Sequence, residues 1–174
     1  MLQALASALG PWYPYIKFVH LTFVMVWIWS TALAYAYYLV PVFKAWRRNP
    51  QDTEIITLRN WAIERFDQGV IYEHVAFPII LLTGPLLYLA GGWSIAFNWL
   101  ALKICIVILI MIPIEVMDYH LSHFGGNKAT IRATGDMEKY EKAVHLHWYF
   151  FLYTSPVIMT SAMVVVFLAT TKSF

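Results

Sequence analysis

The chain has 174 residues, 60% of them hydrophobic and 13% charged, with a mean hydropathy of +0.61 and a formal net charge of +2. That composition excludes an ordinary soluble domain, places the chain in a membrane, and gives no reason to expect a nucleic-acid partner. The single cysteine, Cys105, excludes an intramolecular disulfide and a four-cysteine zinc site.

A hydrocarbon core about 30 Å thick takes about 20 mostly apolar residues per helical crossing. Four stretches meet that requirement, at residues 14–43, 70–91, 98–120 and 144–170. They predict an all-α integral membrane four-helix bundle, a single domain over residues 1–174. The opening "MLQALASALG" lacks the Lys/Arg-rich start of a cleavable signal peptide, so the first helix is expected to be retained.

Between the first two spans lies "RRNPQDTEIITLRNWAIERF". After Pro50 and a capping Asp52, the residues Ile55, Ile56, Leu58, Ala62, Ile63 and Phe66 recur at helical spacing. This predicts an amphipathic helix along the membrane surface. Residues 121–143, with "FGGNK" and "TGDMEKYEK", read as a polar loop over the same end. Following the spans back and forth puts both termini and the link "GGWSIAFN" on one side. The other side carries Lys44, Arg47, Arg48, Arg59, Arg65, Lys128, Arg132, Lys139 and Lys142. The positive-inside rule makes that second side cytoplasmic. The expected setting is a bacterial cytoplasmic membrane with both termini periplasmic and lipid as the immediate partner.

An ionisable group inside a span is costly and marks a functional candidate. On the basic side, Glu73 and His74 open the second span, Glu115, Asp118, His120 and His123 close the third, and His145 and His147 open the fourth. At about 100° per residue, Glu115, Asp118, Tyr119, Ser122 and His123 share one arc with His120 at its edge. His145 and His147 point in opposed directions, and His145, which shares its face with Tyr149, is preferred. Carboxylates and imidazoles from three helices at one depth suit a non-heme metal, with iron the leading candidate. The proposed metal set is Glu73, His74, Glu115, Asp118, His120 and His145. The same residues also read as interfacial polar groups paired with nearby Arg and Lys.

A second intramembrane candidate, His20, lies on the opposite side in a stripe with Val24, Trp27, Thr31, Ala34 and Tyr38. Lys103 and Met163 fall at a similar depth. A bundle histidine can ligate heme axially and a methionine can supply the other side, although a lone histidine can equally be a hydrogen-bonded packing residue.

The segments "IKFVHLTFVMVW", "PIILLTG", "WLALKICIV" followed by "YH", and "VVVFLATTKSF" resemble the HemJ-type protoporphyrinogen oxidases and related four-helix bacterial membrane proteins. The resemblance implies heme b and oxidation of protoporphyrinogen IX to protoporphyrin IX. It carries onto His20, Trp27, Lys103 and the pair Tyr119–His120, with Tyr119 and Lys103 in catalytic roles. Three functions are therefore expected to compete. One is a membrane oxidoreductase using heme b or a non-heme metal on a lipid-soluble or interfacial substrate or electron carrier. The others are a non-catalytic subunit of a larger membrane complex, and a small metal or proton transporter; a homo-oligomer is compatible with each.

Overall fold

A computed structural model describes residues 2–93 and 98–172; residues 94–97 of the "GGWSIAFN" link lie outside it. The described residues are helical apart from short turns, with no strand among them. The helices are α1 (Gln3–Arg48), α2 (Thr53–Gly69), α3 (Ile71–Gly91), α4 (Trp99–Ser122), α5 (Lys128–Ala133) and α6 (Met137–Thr171). Four helical stretches, α1, the α2–α3 run, α4 and α6, are long and apolar enough to cross a membrane.

Local chemistry accounts for the boundaries. The α1 helix starts well before residue 14, because "LQALASAL" is rich in strong helix formers. Pro11 is accommodated in a 3₁₀ turn over Gly10–Trp12. Asp52 caps α2, its Oδ1 accepting from the backbone N–H of Glu54 at 3.0 Å and Ile55 at 3.2 Å. Asn98 caps α4, Asn127 caps α5 and Asp136 caps α6 in the same way. At the end of α3, Gly92 adopts the left-handed conformation with φ of 63° that glycine takes without strain.

Residues 121–143 are thus not a plain loop. They hold α5 and the first turns of α6, since Asn127 and Asp136 each satisfy the free N–H groups of a new helix.

Two π-helical turns, Tyr35–Leu39 in α1 and Val107–Met111 in α4, each end two residues before a proline, Pro41 and Pro113. A proline ring crowds the carbonyl four residues back and supplies no N–H, so widening the preceding turn relieves both problems. Each wide turn also rotates the helix face beyond it.

The α1 helix packs chiefly on α3, and α4 chiefly on α6. A mid-span core gathers Trp27, Ala76, Phe77, Met111 and Ala162. A larger core at the basic end joins Leu39 and Phe43 of α1 to Ile63 and Phe66 of α2 and to Tyr140, Val144 and Trp148 of α6. Phe43 stacks on Trp148 with centroids 4.2 Å apart and planes 9° from parallel.

The α2 helix does more than offer an apolar face to lipid. Ala62, Ile63 and Phe66 are buried, but so are Arg59, Glu64 and Asp67, while Leu58 and Trp61 are exposed. Charge pairs hold this helix to its neighbours: Arg59 to Glu141 at 2.5 Å and Arg132 to Glu64 at 2.8 Å, with the Tyr140 hydroxyl donating to Glu64 at 2.8 Å.

The α4–α5 turn passes very close to the end of α4. A Cβ added at Gly126 would lie 2.5 Å from the Leu121 carbonyl oxygen, a backbone atom that has no room to move aside. Gly126→Ala is expected to destabilise the protein by about 1–3 kcal/mol, the usual cost of overpacking. A thermal melt in detergent checks this; an unchanged melting temperature would show that the turn has slack.

Candidate functional site

Five helices bring a set of ionisable side chains to one buried place at the basic end. Glu73 and His74 enter from the first turn of α3, Glu115 and Asp118 from α4, and His147 from α6; all are at most 8% exposed. The Asp67 side chain of α2 and Lys128 at the start of α5 complete the group, at 1% and 0% exposure.

The hydrogen bonds form a continuous chain whose direction is fixed by its ends. Lys128 Nζ donates to Asp67 Oδ1 at 3.0 Å and to the Leu121 carbonyl at 2.9 Å, and it also contacts His147 Nδ1. An ammonium only donates, so His147 Nδ1 is the acceptor and its Nε2–H donates to Asp118 Oδ1 at 2.9 Å. The other Asp118 oxygen, Oδ2, accepts from His74 Nε2–H at 3.1 Å. That leaves His74 Nδ1 to accept from His123 Nε2–H at 2.8 Å. Two imidazole N–H groups thus converge on one carboxylate, and the chain ends at His123, which is half-buried.

Aromatic rings fix these imidazoles. Phe151 stacks on His147 at 4.3 Å, and Tyr119 meets His74 edge-on at 4.9 Å and His123 at 5.1 Å. Burial holds the His123 imidazole below the usual 6.5, with His74 adding to the effect.

Burial likewise pulls the Lys128 ammonium below the usual 10.5, against the opposing charges of Asp67 and Asp118. As pH rises toward 10.5, the folded chain gives up this proton before the unfolded chain does. The unfolded state then holds more protons, and stability rises with pH in that window. The melting temperature of the native protein is therefore expected to climb relative to Lys128→Met as pH approaches 10.5. Parallel curves for the two proteins would contradict this.

One turn before Asp118, Glu115 Oε1 accepts a 2.6 Å hydrogen bond from the Trp27 indole. Oε2 of Glu73 and Oε2 of Glu115 are both buried with no hydrogen-bond partner. An ionised carboxylate is costly in such a place, which favours a proton on the pair. Glu73, Glu115 and Asp118 together form the polar edge of a cavity of about 380 Å³ between α1, α3, α4 and α6. Its other walls include Trp27, Tyr35, Phe150 and Phe151.

The residues expected from the sequence divide into two groups. The structure gathers Glu73, His74, Glu115 and Asp118, and brings in Trp27 through Glu115. It does not bring in His120, which is exposed and lies against Gly125. His145 is half-buried against the rings of Trp46 and Tyr149, and His147 takes the interior position instead. Among the described residues, no three or more His, Cys, Asp or Glu side chains stand in an arrangement able to hold a metal ion. Both nitrogens of His74 and of His147 and both oxygens of Asp118 are already engaged with one another or with neighbours, which suits proton relay better than metal ligation.

Asp67, Lys128 and His147 were not singled out as site residues from the sequence. Asp67 carried a signal, since it falls four residues after the buried Ile63 on the inward stripe of α2. Lys128 carried none.

His20 forms a separate locus. The Thr83 hydroxyl donates to the Ile79 carbonyl at 2.7 Å, so it accepts from His20 Nδ1–H at 2.7 Å, and the Nε2 lone pair of His20 is unused by this pair. Lys103 lies near enough for its charge to act on His20. Were the heme implied by the resemblance bound, His20 would hold it through Nε2, with Thr83 orienting the ring. Met163 is 67% exposed and faces outward.

The fold and site thus describe a helical membrane-type bundle with a buried hydrogen-bonded network of ionisable side chains. Comparison with protein-family models, with characterised proteins and with solved structures finds no match for the chain.

Proposed function

We propose that the protein holds a lipid-soluble small molecule in the cavity beside Glu73 and Glu115 and exchanges protons between that site and the cytoplasm. The observation that carries this reading is the hydrogen-bonded run from half-buried His123 through His74 to Asp118, which ends on the same cavity as the carboxyl pair. Its end at the base-rich side supports a cytoplasmic outlet. Each step joins a nitrogen or oxygen that accepts a proton to one that donates it, and a neutral imidazole offers one of each. A protein built this way serves either as a proton-coupled carrier or as the proton-handling half of an oxidoreductase acting on a lipid-soluble substrate.

A pH jump on the protein in nanodiscs, followed by infrared absorption of protonated carboxyl groups, tests the relay. His74→Phe is expected to slow protonation at Glu73 and Glu115 by at least about a hundredfold, the low end of a general acid–base contribution. Equal rates in the two proteins would remove His74 from the path.

A second reading, the heme-dependent oxidoreductase, is favoured by the free Nε2 of His20. In that reading His20 holds the iron, Thr83 fixes its tautomer, and Tyr119 stands at the cytoplasmic mouth beside His74. A bound heme supplies one-electron chemistry. A purified protein showing a Soret band that is lost in His20→Ala supports it, and a band retained in that variant sinks it.

A further inference from the structure

The chemical class of the cavity's ligand follows from its walls; the inference rests on the cavity reading above. The lining residues include three acids and no Lys, Arg or His. Asp118 is already matched by two imidazole N–H groups, with Lys128 behind His147. Glu73 and Glu115, 6% and 7% exposed, have between them only the Trp27 donor among the described residues, and Oε2 of each is buried without a partner. An anion meets repulsion here, and a neutral apolar molecule leaves the carboxyl oxygens without a new donor. A cation with N–H groups satisfies both carboxylates and finds the faces of Trp27, Tyr35, Phe150 and Phe151 around it. A volume of about 380 Å³ suits a small aromatic or alkyl amine.

We propose that the cavity binds a lipophilic organic cation of the ammonium class in exchange for a proton carried by the Glu73–Glu115 pair. The balance is one for one. That proton leaves one carboxyl group as one monovalent ammonium ion enters, so the charge within the cavity is the same before and after. Asp118, one turn from Glu115 on α4, lines the same cavity and accepts from His74, which accepts from His123, and the released proton leaves by that route.

The test uses the purified full-length protein in weakly buffered detergent, with 4-phenylbutylammonium and its neutral counterpart 4-phenylbutanol as probes. Calorimetry and a pH electrode read binding and proton release against empty micelles. The ammonium ion is expected to bind saturably, to release one proton per ion, and to weaken about tenfold for each pH unit of acidification, as one-for-one competition requires. Phenylbutanol is expected to bind at least about tenfold more weakly and to release none. In Glu115→Gln and Glu73→Gln, each checked by thermal melt, proton release is lost. In Ala162→Phe, which narrows the cavity without touching a carboxyl group, binding is lost. Equal binding of both probes without proton release overturns the cation assignment and leaves the lipid-soluble ligand standing. Binding of neither probe overturns the inference and the occupied-cavity part of the proposed function, while the relay part is judged separately by the pH jump.

Discussion

Asp118→Ala is expected to destabilise the folded protein by about 3–5 kcal/mol, the cost of leaving buried partners of a charged group unmatched. Asp118 accepts from both His74 and His147, and its carboxylate lies near the ammonium of Lys128. Its removal strands two imidazole N–H groups where water is scarce. The same substitution cuts the only hydrogen-bonded link described between His147 and His74. Asp118→Asn separates these effects, because the amide keeps the shape and one acceptor but cannot carry a proton through. The asparagine variant is expected to retain more of the stability than the alanine variant and to exchange protons as slowly. Chemical denaturation in mixed micelles measures the first quantity and the infrared pH jump the second. An asparagine variant with native exchange rates would take Asp118 out of the relay.

The second large effect centres on Lys128, whose ammonium is wholly buried with Asp67 as its only directly paired carboxylate among the described residues. Asp67→Ala removes the Nζ partner at 3.0 Å and also the acceptor for the Lys128 backbone N–H at 3.1 Å. A loss of about 3–5 kcal/mol is expected, because an uncompensated charge then remains in a low-dielectric place. The double replacement Asp67→Ala with Lys128→Met removes that charge, and it is expected to be more stable than Asp67→Ala alone. If the two single losses simply add, the pair does not interact and the penalty lies elsewhere.

These predictions depend on residues that differ in how visible they were from sequence. Glu73, His74, Glu115 and Asp118 stand out because ionisable groups at the ends of apolar spans are rare enough to demand a role. The helical arc on α4 placed Glu115, Asp118 and Ser122 together, and all three are buried. The choice between His145 and His147 was not legible in the same way. Helical angles show that the two diverge, but not which face of α6 turns inward. That is set by contacts far away in sequence, Phe43 against Trp148 and Phe66 beside His147.

The wide turns before Pro41 and Pro113 add to the difficulty, since an ideal 100° step no longer carries across them. At the level of the fold, apolar length was enough to find the four long helices, and Asp52 marked the start of α2. The helical content of 121–143 was hidden by its polarity, although its capping side chains, Asn127 and Asp136, were present in the sequence. Docking of α2 by charge pairs rather than by an apolar face alone depends on Glu141 and Arg132, partners more than sixty residues away.

Exchange at the cavity requires a proton on the Glu73–Glu115 pair, and steady-state infrared spectroscopy addresses it most directly. The native protein at neutral pH is expected to show the carbonyl stretch of a protonated carboxylic acid that shifts in deuterium oxide, and both Glu73→Gln and Glu115→Gln are expected to lose it. Absence of that band from the native protein, or its persistence undiminished in both variants, would contradict a proton held at this site.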